Sequence, residues 1–207
     1  MIIIFGRLRA AGLKVNVPKC SFGLKEITYL GYDTTREGIK PDARKVKGII
    51  FIGRPATTTE ARALIGMVHY YRDMWPRRSH ILAPLTEAAS RPKGRNIYCN
   101  YVLENSFKEI KRMVSAKKLM SDPDWKMPFT VHTYVSDKQL GAVIIKNDKP
   151  ITFFSIIFSK TRRNYTTTDK ELLGIVECLK LFRIIIFGYE KNVLSYNKNL
   201  VYAATLS

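Results

Sequence analysis

The chain has 207 residues, of which 46% are hydrophobic and 25% charged, a globular composition that excludes a disordered polypeptide and leaves room for one large domain or two small ones. Lys and Arg number 35 against 17 Asp and Glu, a formal charge of +18 at neutral pH. Such a field repels basic partners and attracts polyanions, so nucleic acid is the expected partner and an anionic membrane the lesser one.

In chain order, Arg7–Ala11 reads as a short helix or its end, closed by Gly12. Lys14–Val17 alternates apolar and polar residues, and Ile27–Tyr32 is rich in strand formers; Gly31, Gly38 and Pro41 mark a loop after it. Residues 42–52 form a helix that Gly53 and Pro55 end. A second helix begins at a capping box, Thr57 with Glu60 three residues on. Leu64, Met67, Val68, Tyr71, Met74 and Trp75 then make one apolar stripe, stopped by Pro76. A helix over Ser79–Ala89, a basic Pro/Gly loop over Arg91–Arg95, and a helix marked by Leu103, Phe107, Ile110 and Val114 complete a small helical domain over roughly 42–120.

The pattern changes after residues 121–125. Phe129–Val135, Ala142–Lys146 and Ile151–Phe158 read as a three-strand meander. A helix follows Thr166–Thr168, burying Leu172, Leu173, Ile175, Val176, Leu179 and Phe182, and Val193–Tyr196 reads as a fourth strand. The expected fold class is α+β: a small helical domain, then an α/β sandwich with a mixed sheet, short of its last elements. An apolar strand near Ile156 and Ile157, beside an uncovered edge, carries an aggregation risk.

Cys20, Cys99 and Cys178 are widely spaced and odd in number, with no metal-ligand spacing, so a reduced intracellular chain is expected, of unspecified compartment. The apolar Met1–Phe5 run is far too short for a signal peptide or a membrane span.

Three stretches carry a resemblance. KCSFGLKEITYLGYDTTREGIKPDARKV (19–46) resembles the end of the reverse transcriptase palm of gypsy-type long-terminal-repeat retrotransposons. ALIGMVHYYRDMWPRRSHILAPL (63–85) is similar to the thumb or connection helices that follow it. PFTVHTYVSDKQLGAVI (128–144), NYTTTDKELLGIVECLKLFR (164–183) and SYNKNLVY (195–202) resemble the ribonuclease H domain of the same polyproteins. The resemblance implies a palm remnant over 1–41, a thumb or connection over 42–120, and a truncated ribonuclease H-like domain over 121–207. The family's paired-aspartate polymerase motif falls upstream of residue 1.

The family cuts RNA in RNA–DNA hybrids with two magnesium ions held by four carboxylates, because a hard cation requires oxygen ligands. By resemblance, the helix carboxylate is kept as Glu171. Tyr134 and Tyr196 occupy two aspartate positions, Asn197 replaces a histidine, and the fourth carboxylate falls beyond Ser207. A neutral phenol is a poor magnesium ligand, so no metal site and no resident cofactor are expected. Asp137 lies about 10 Å along the strand from Tyr134 and on its other face. Asp169 points some 200° around the helix from Glu171. Read from the residues alone, Glu171 instead makes a capping box with Thr168.

Arg72, Arg77, Arg78, Arg162 and Arg163 are the candidate phosphate contacts, set against a plain solvated face. Tyr70, Tyr71 and Trp75 could stack on bases, but the stripe makes core packing the better account of Tyr71 and Trp75. The expected function is that of a reverse transcriptase/ribonuclease H polyprotein segment that binds duplex or hybrid without cleaving it, alongside other polyprotein segments. The alternatives are a domesticated basic binding module and a nuclease completed by a partner chain.

Overall fold

The computed structural model describes residues 2–116, 119–121, 125–195 and 200. Helix α1 (Ile2–Ala10) starts earlier than expected and buries nothing; Phe5 touches Phe22 edge to face. Residues 14–17, expected to be extended, lead into a 3-10 turn at Val17–Lys19. Strands β1 (Glu26–Tyr29), β2 (Tyr32–Thr35) and β3 (Gly38–Pro41) form an antiparallel sheet in that order. The expected loop through Gly38 and Pro41 is therefore a strand. Its glycine is required, because φ there is +139° and a Cβ would sit 2.0 Å from the Met120 carbonyl oxygen. That close approach permits Ile39 and Met120 to exchange backbone hydrogen bonds of 2.7 and 2.8 Å.

Helix α2 (Ala43–Phe51) is capped by Asp42, which accepts from the Arg44 amide at 2.8 Å. Helix α3 (Thr58–Tyr70) is capped by Thr57 as the capping box predicts, although the Glu60 carboxylate reaches back to the Ala56 amide rather than that of Thr57. The apolar stripe runs past the end of α3 through a 3-10 turn at Arg72–Met74, leaving Tyr71, Met74 and Trp75 buried. Met67, expected on the stripe, is 37% exposed. Helices α4 (Arg78–Ala89) and α5 (Tyr101–Ser115) close the first core, with Leu64, Val68, Trp75, Leu82, Leu85 and Ile110 at its centre.

The second sheet has the order β6-β5-β4-β7, from β4 (Phe129–Val135), β5 (Gln139–Lys146), β6 (Lys149–Ile157) and β7 (Lys191–Leu194). The meander is antiparallel, whereas β7 returns parallel to β4, so the sheet is mixed as expected. Two short helices, α6 (Lys160–Arg163) and α8 (Arg183–Ile186), flank α7 (Thr167–Leu181). Helix α7 packs on the sheet through Gly174 and Cys178, and Phe182 follows it into the core. Leu172, expected to be buried, is 48% exposed, because it lies about 200° around α7 from Gly174, which meets Leu140 of the sheet; Leu173, Ile175, Val176 and Leu179 are only partly buried. The outer strand β6 is not bare: Thr152 donates to the Asp73 carbonyl, and the Ser79 amide donates to the Ser155 hydroxyl at 3.2 Å. The architecture is α+β, and no helix among the described residues is long and apolar enough to cross a membrane.

Candidate functional site

The first turn of α7 is fixed by Thr166, whose hydroxyl accepts from the Asp169 amide and donates to the Asp169 carboxylate at 2.7 Å. The cap is thus Thr166 with Asp169, not Thr168 with Glu171. Freed from capping, Glu171 lies inside the helix and is only 6% exposed. Because β7 runs parallel to β4 with His132 opposite Leu194, the chain leaves β7 near the first turns of α7. There the Ser195 hydroxyl donates to Glu171 Oε2 at 2.8 Å. Sequence reasoning missed Ser195, since only the parallel return of β7 brings it there. The adjacent Lys170 is buried too, and its ammonium lies 3.3 Å from Asp137 Oδ1.

Tyr134 and Glu171 are not brought together. On β4, Phe129 and Val131 share a core with Cys178 and Phe182, and Val135 lies against Gly174, so these odd positions face α7. Tyr134 belongs to the other face. Its ring covers Gly141, its partner on β5, so closely that a Cβ on that glycine would fall 2.1 Å from the ring. Its hydroxyl faces the Arg77 backbone amide at the entrance to α4. Burial raises the phenol pKa, and the amide and charge of Arg77 pull it back. Tyr196 and Asn197 lie outside the described residues.

The donors described do not fit a pair of magnesium ions. Glu171 is a single carboxylate already bound by Ser195 and next to a lysine, while Asp137 and Asp169 are engaged elsewhere. Among the described residues, no three His, Cys, Asp or Glu side chains converge on a point where a metal ion could sit.

Four of the five candidate arginines reach the surface at least in part. Arg72 is exposed beside Asp73 at 3.4 Å, and Arg77 is exposed at a left-handed φ of 53°. Arg162 is half-buried against Glu177 at 3.2 Å, and Arg163 is exposed with Nε donating to the Phe158 carbonyl. Arg78 is placed differently: it is 7% exposed, with its guanidinium donating to the Ser155 carbonyl at 3.3 Å. Burial, then repulsion from Arg72, lowers its pKa. The docking of α4 onto β6 turns that arginine inward.

Tyr71 and Trp75 are core residues, and burial pushes the Tyr71 phenol up to about 12. Tyr70 is 46% exposed and stacks on Tyr32 with ring centres 5.8 Å apart, under the Lys45 ammonium at 4.8 Å. The ring forms one end of a groove of about 640 Å³ between α2 and α3, floored by Gly48, Ala63 and Gly66. Tyr32 and Lys45 join Tyr70 only through folding, so the sequence does not reveal this cluster.

Residues 101–193 match the family described as the RNase H-like domain found in reverse transcriptase. The chain is 34% identical over 187 residues to the retrovirus-related Pol polyprotein from transposon 297 of Drosophila melanogaster, covering 90% of this chain and 18% of that protein. It is 28% identical over 207 residues to the Pol polyprotein from transposon gypsy of the same fly, covering 93% of this chain and 20% of that one. The chain thus spans about a fifth of the length of these relatives. In fold it is similar to foamy viral protease-reverse transcriptase in complex with dsDNA, with a TM-score of 0.82 and 24% identity over 98% of this chain and 43% of that one. The same viral protein in complex with an RNA/DNA hybrid gives a TM-score of 0.81 and 24% identity, over 95% of this chain and 28% of that one. The chain is a relative of gypsy-type retrotransposon Pol polyproteins and carries, over residues 101–193, the RNase H-like domain found in reverse transcriptase.

Proposed function

We propose that the chain binds nucleic-acid duplex, RNA–DNA hybrid or DNA, without reading sequence and without cutting it. The observation that carries the second half is Glu171: its carboxylate is held by Ser195, and the phenol at the first-strand position faces away across the sheet. Two divalent ions would there meet one buried carboxylate already bound by a hydroxyl, too little negative charge to offset them. The first half rests on the +18 charge, on Arg72, Arg77, Arg162 and Arg163 at the surface, and on the nucleic-acid complexes in which the similar viral proteins are seen. Within this reading, residues 1–41 derive from a palm, 42–120 form the thumb or connection, and 121–207 form the nuclease-like part, working beside other polyprotein segments. Three free cysteines suit a reducing, intracellular setting.

Hybrid binding followed by anisotropy across a salt series tests the first half, and cleavage assays in magnesium or manganese test the second. Replacing the four surface arginines with alanine is expected to weaken binding at least tenfold at about 100 mM salt and to flatten the salt slope by up to about 3.6. Unchanged affinity would remove the arginine assignment. Turnover that disappears in Glu171→Ala would overturn the claim that the chain does not cut.

A further inference from the structure

A second basic surface lies away from these arginines, on the loop between α4 and α5. That loop is held rigid from below. Arg62 donates to the carbonyls of Ala89 at 3.0 Å and Arg91 at 2.8 Å. The Thr58 hydroxyl donates to the Pro92 carbonyl, the Thr58 amide to the Arg95 carbonyl, and the Ile97 amide to the Ala56 carbonyl. Gly94, at φ +80°, makes the turn. Arg91, Lys93 and Arg95 are thereby fixed as exposed cations on an ordered backbone.

A cavity of about 520 Å³ opens on this loop, lined by Arg91, Pro92, Gly94, Arg95, Asn96 and Tyr98. Its size falls within the range of small-ligand sites. The residues that line it carry two guanidinium groups, one side-chain amide and one phenol ring. Tyr98 is 86% exposed and Tyr101, just beyond it, 80% exposed. Large aromatic rings left this open, beside cations, have no part in the core. The acidic neighbour Glu104 is compensated by Arg54 at 3.3 Å and Lys108 at 3.7 Å, so it does not cancel the field.

We infer that this loop cavity binds an unpaired nucleotide of single-stranded nucleic acid, with the base on the Tyr98 ring, the phosphate between Arg91 and Arg95, and the base edge within reach of Asn96. A duplex does not suit it, because paired and stacked bases have no free face to offer a ring, whereas every unpaired base does. The inference extends the proposed duplex binding to a different ligand and a different surface.

The experiment measures the full chain against a fluorescein-labelled oligouridine of about ten nucleotides and, in parallel, a hybrid of the same length. Tyr98→Ala is expected to weaken oligouridine binding about tenfold, to leave hybrid affinity within about twofold, and to leave the melting temperature unchanged. Tyr98→Phe keeps the ring and should bind like the parent. Arg91→Ala with Arg95→Ala should reduce the salt slope for oligouridine by about 1.4, for two phosphates on a single strand. Oligouridine affinity unmoved by Tyr98→Ala, or an equal loss on the hybrid, overturns the assignment. So does uridine monophosphate competing as well as the strand does, which would mark a free-nucleotide pocket. Hybrid binding by the parent chain is read separately, so the duplex proposal can fail while this one stands, and the reverse.

Discussion

The two cores of this molecule are built on different terms. Beneath α3, α4 and α5, the largest side chains (Trp75, Tyr71, Leu64, Leu82, Leu85 and Ile110) are sealed almost completely and pack on one another. Between α7 and the second sheet, the apolar centre is smaller, and much of its rim is polar: Thr133, Lys146, Lys170 and Glu171 are all buried. Thr133 Oγ1, Gln139 Oε1 and Lys146 Nζ are buried there without a hydrogen-bond partner, against Trp75 Nε1 and Arg78 Nε on the helical side. Apolar burial stabilises without conditions, whereas buried polar groups stabilise only when matched. The helical region is therefore expected to dominate stability, and the sheet to lean on it through the Ser155, Ser79 and Arg78 contacts along β6.

The strongest test of that asymmetry is Trp75→Ala. Trp75 is 0% exposed, and its removal leaves a large cavity at the junction of α3 and α4. A loss of about 3–5 kcal/mol is expected in denaturant unfolding, with both halves melting together. A sheet that stays folded while the helices melt would show that the two cores are independent.

Legibility divides along the same line. Around the first core, most local signals agree with the packing: the Thr57 cap and the spacing of Leu64, Val68, Tyr71, Met74 and Trp75 survive. On that stripe Met67 departs, because α2 stands off from α3 there and leaves the groove floored by glycine and alanine. Around the second core, the signals compete. Thr166, Thr167 and Thr168 offer the same capping side chain three times over, and the choice of Thr166 falls to Asp169, whose short carboxylate returns to that hydroxyl. That shift frees Glu171 for Ser195. Nor does the spacing of apolar residues reveal that Gly174 marks the face of α7 against the sheet, since a glycine carries no hydropathy signal and its role depends on Leu140 from another strand. The sequence offers Glu171 and Tyr134 as family carboxylate positions only through resemblance, and what each side chain touches comes only from the fold.

A middle-sized effect is expected at Gly141, where the sheet tolerates the Tyr134 ring only because the glycine has no side chain. Gly141→Ala should cost about 1–3 kcal/mol by overpacking. Adding Tyr134→Ala should recover most of that loss, a coupling that a double-mutant cycle measures directly. If the two costs merely add, the ring moves aside freely, and its packing on Gly141 does not constrain the sheet.

The smallest expected effect, and the one with the least intuitive sign, concerns Lys146. Its side chain is 3% exposed, and its ammonium lies 3.8 Å from the centre of the Phe129 ring, 6.0 Å from Trp125 and 5.9 Å from Tyr189. Three aromatic faces attract a cation by up to about 2 kcal/mol when water is excluded. Burying an ammonium with no hydrogen-bond acceptor costs several kcal/mol, and ring faces do not replace water's hydrogen bonds. Methionine has nearly the same length, no charge, and a sulfur that packs well against rings. Lys146→Met is therefore expected to stabilise the fold by about 1 kcal/mol, read as a higher denaturant midpoint at unchanged slope. A loss instead would mean that the aromatic enclosure more than offsets the desolvation of the charge. The sheet's buried polar groups would then be matched after all, and the contrast between the two cores would narrow to one of size.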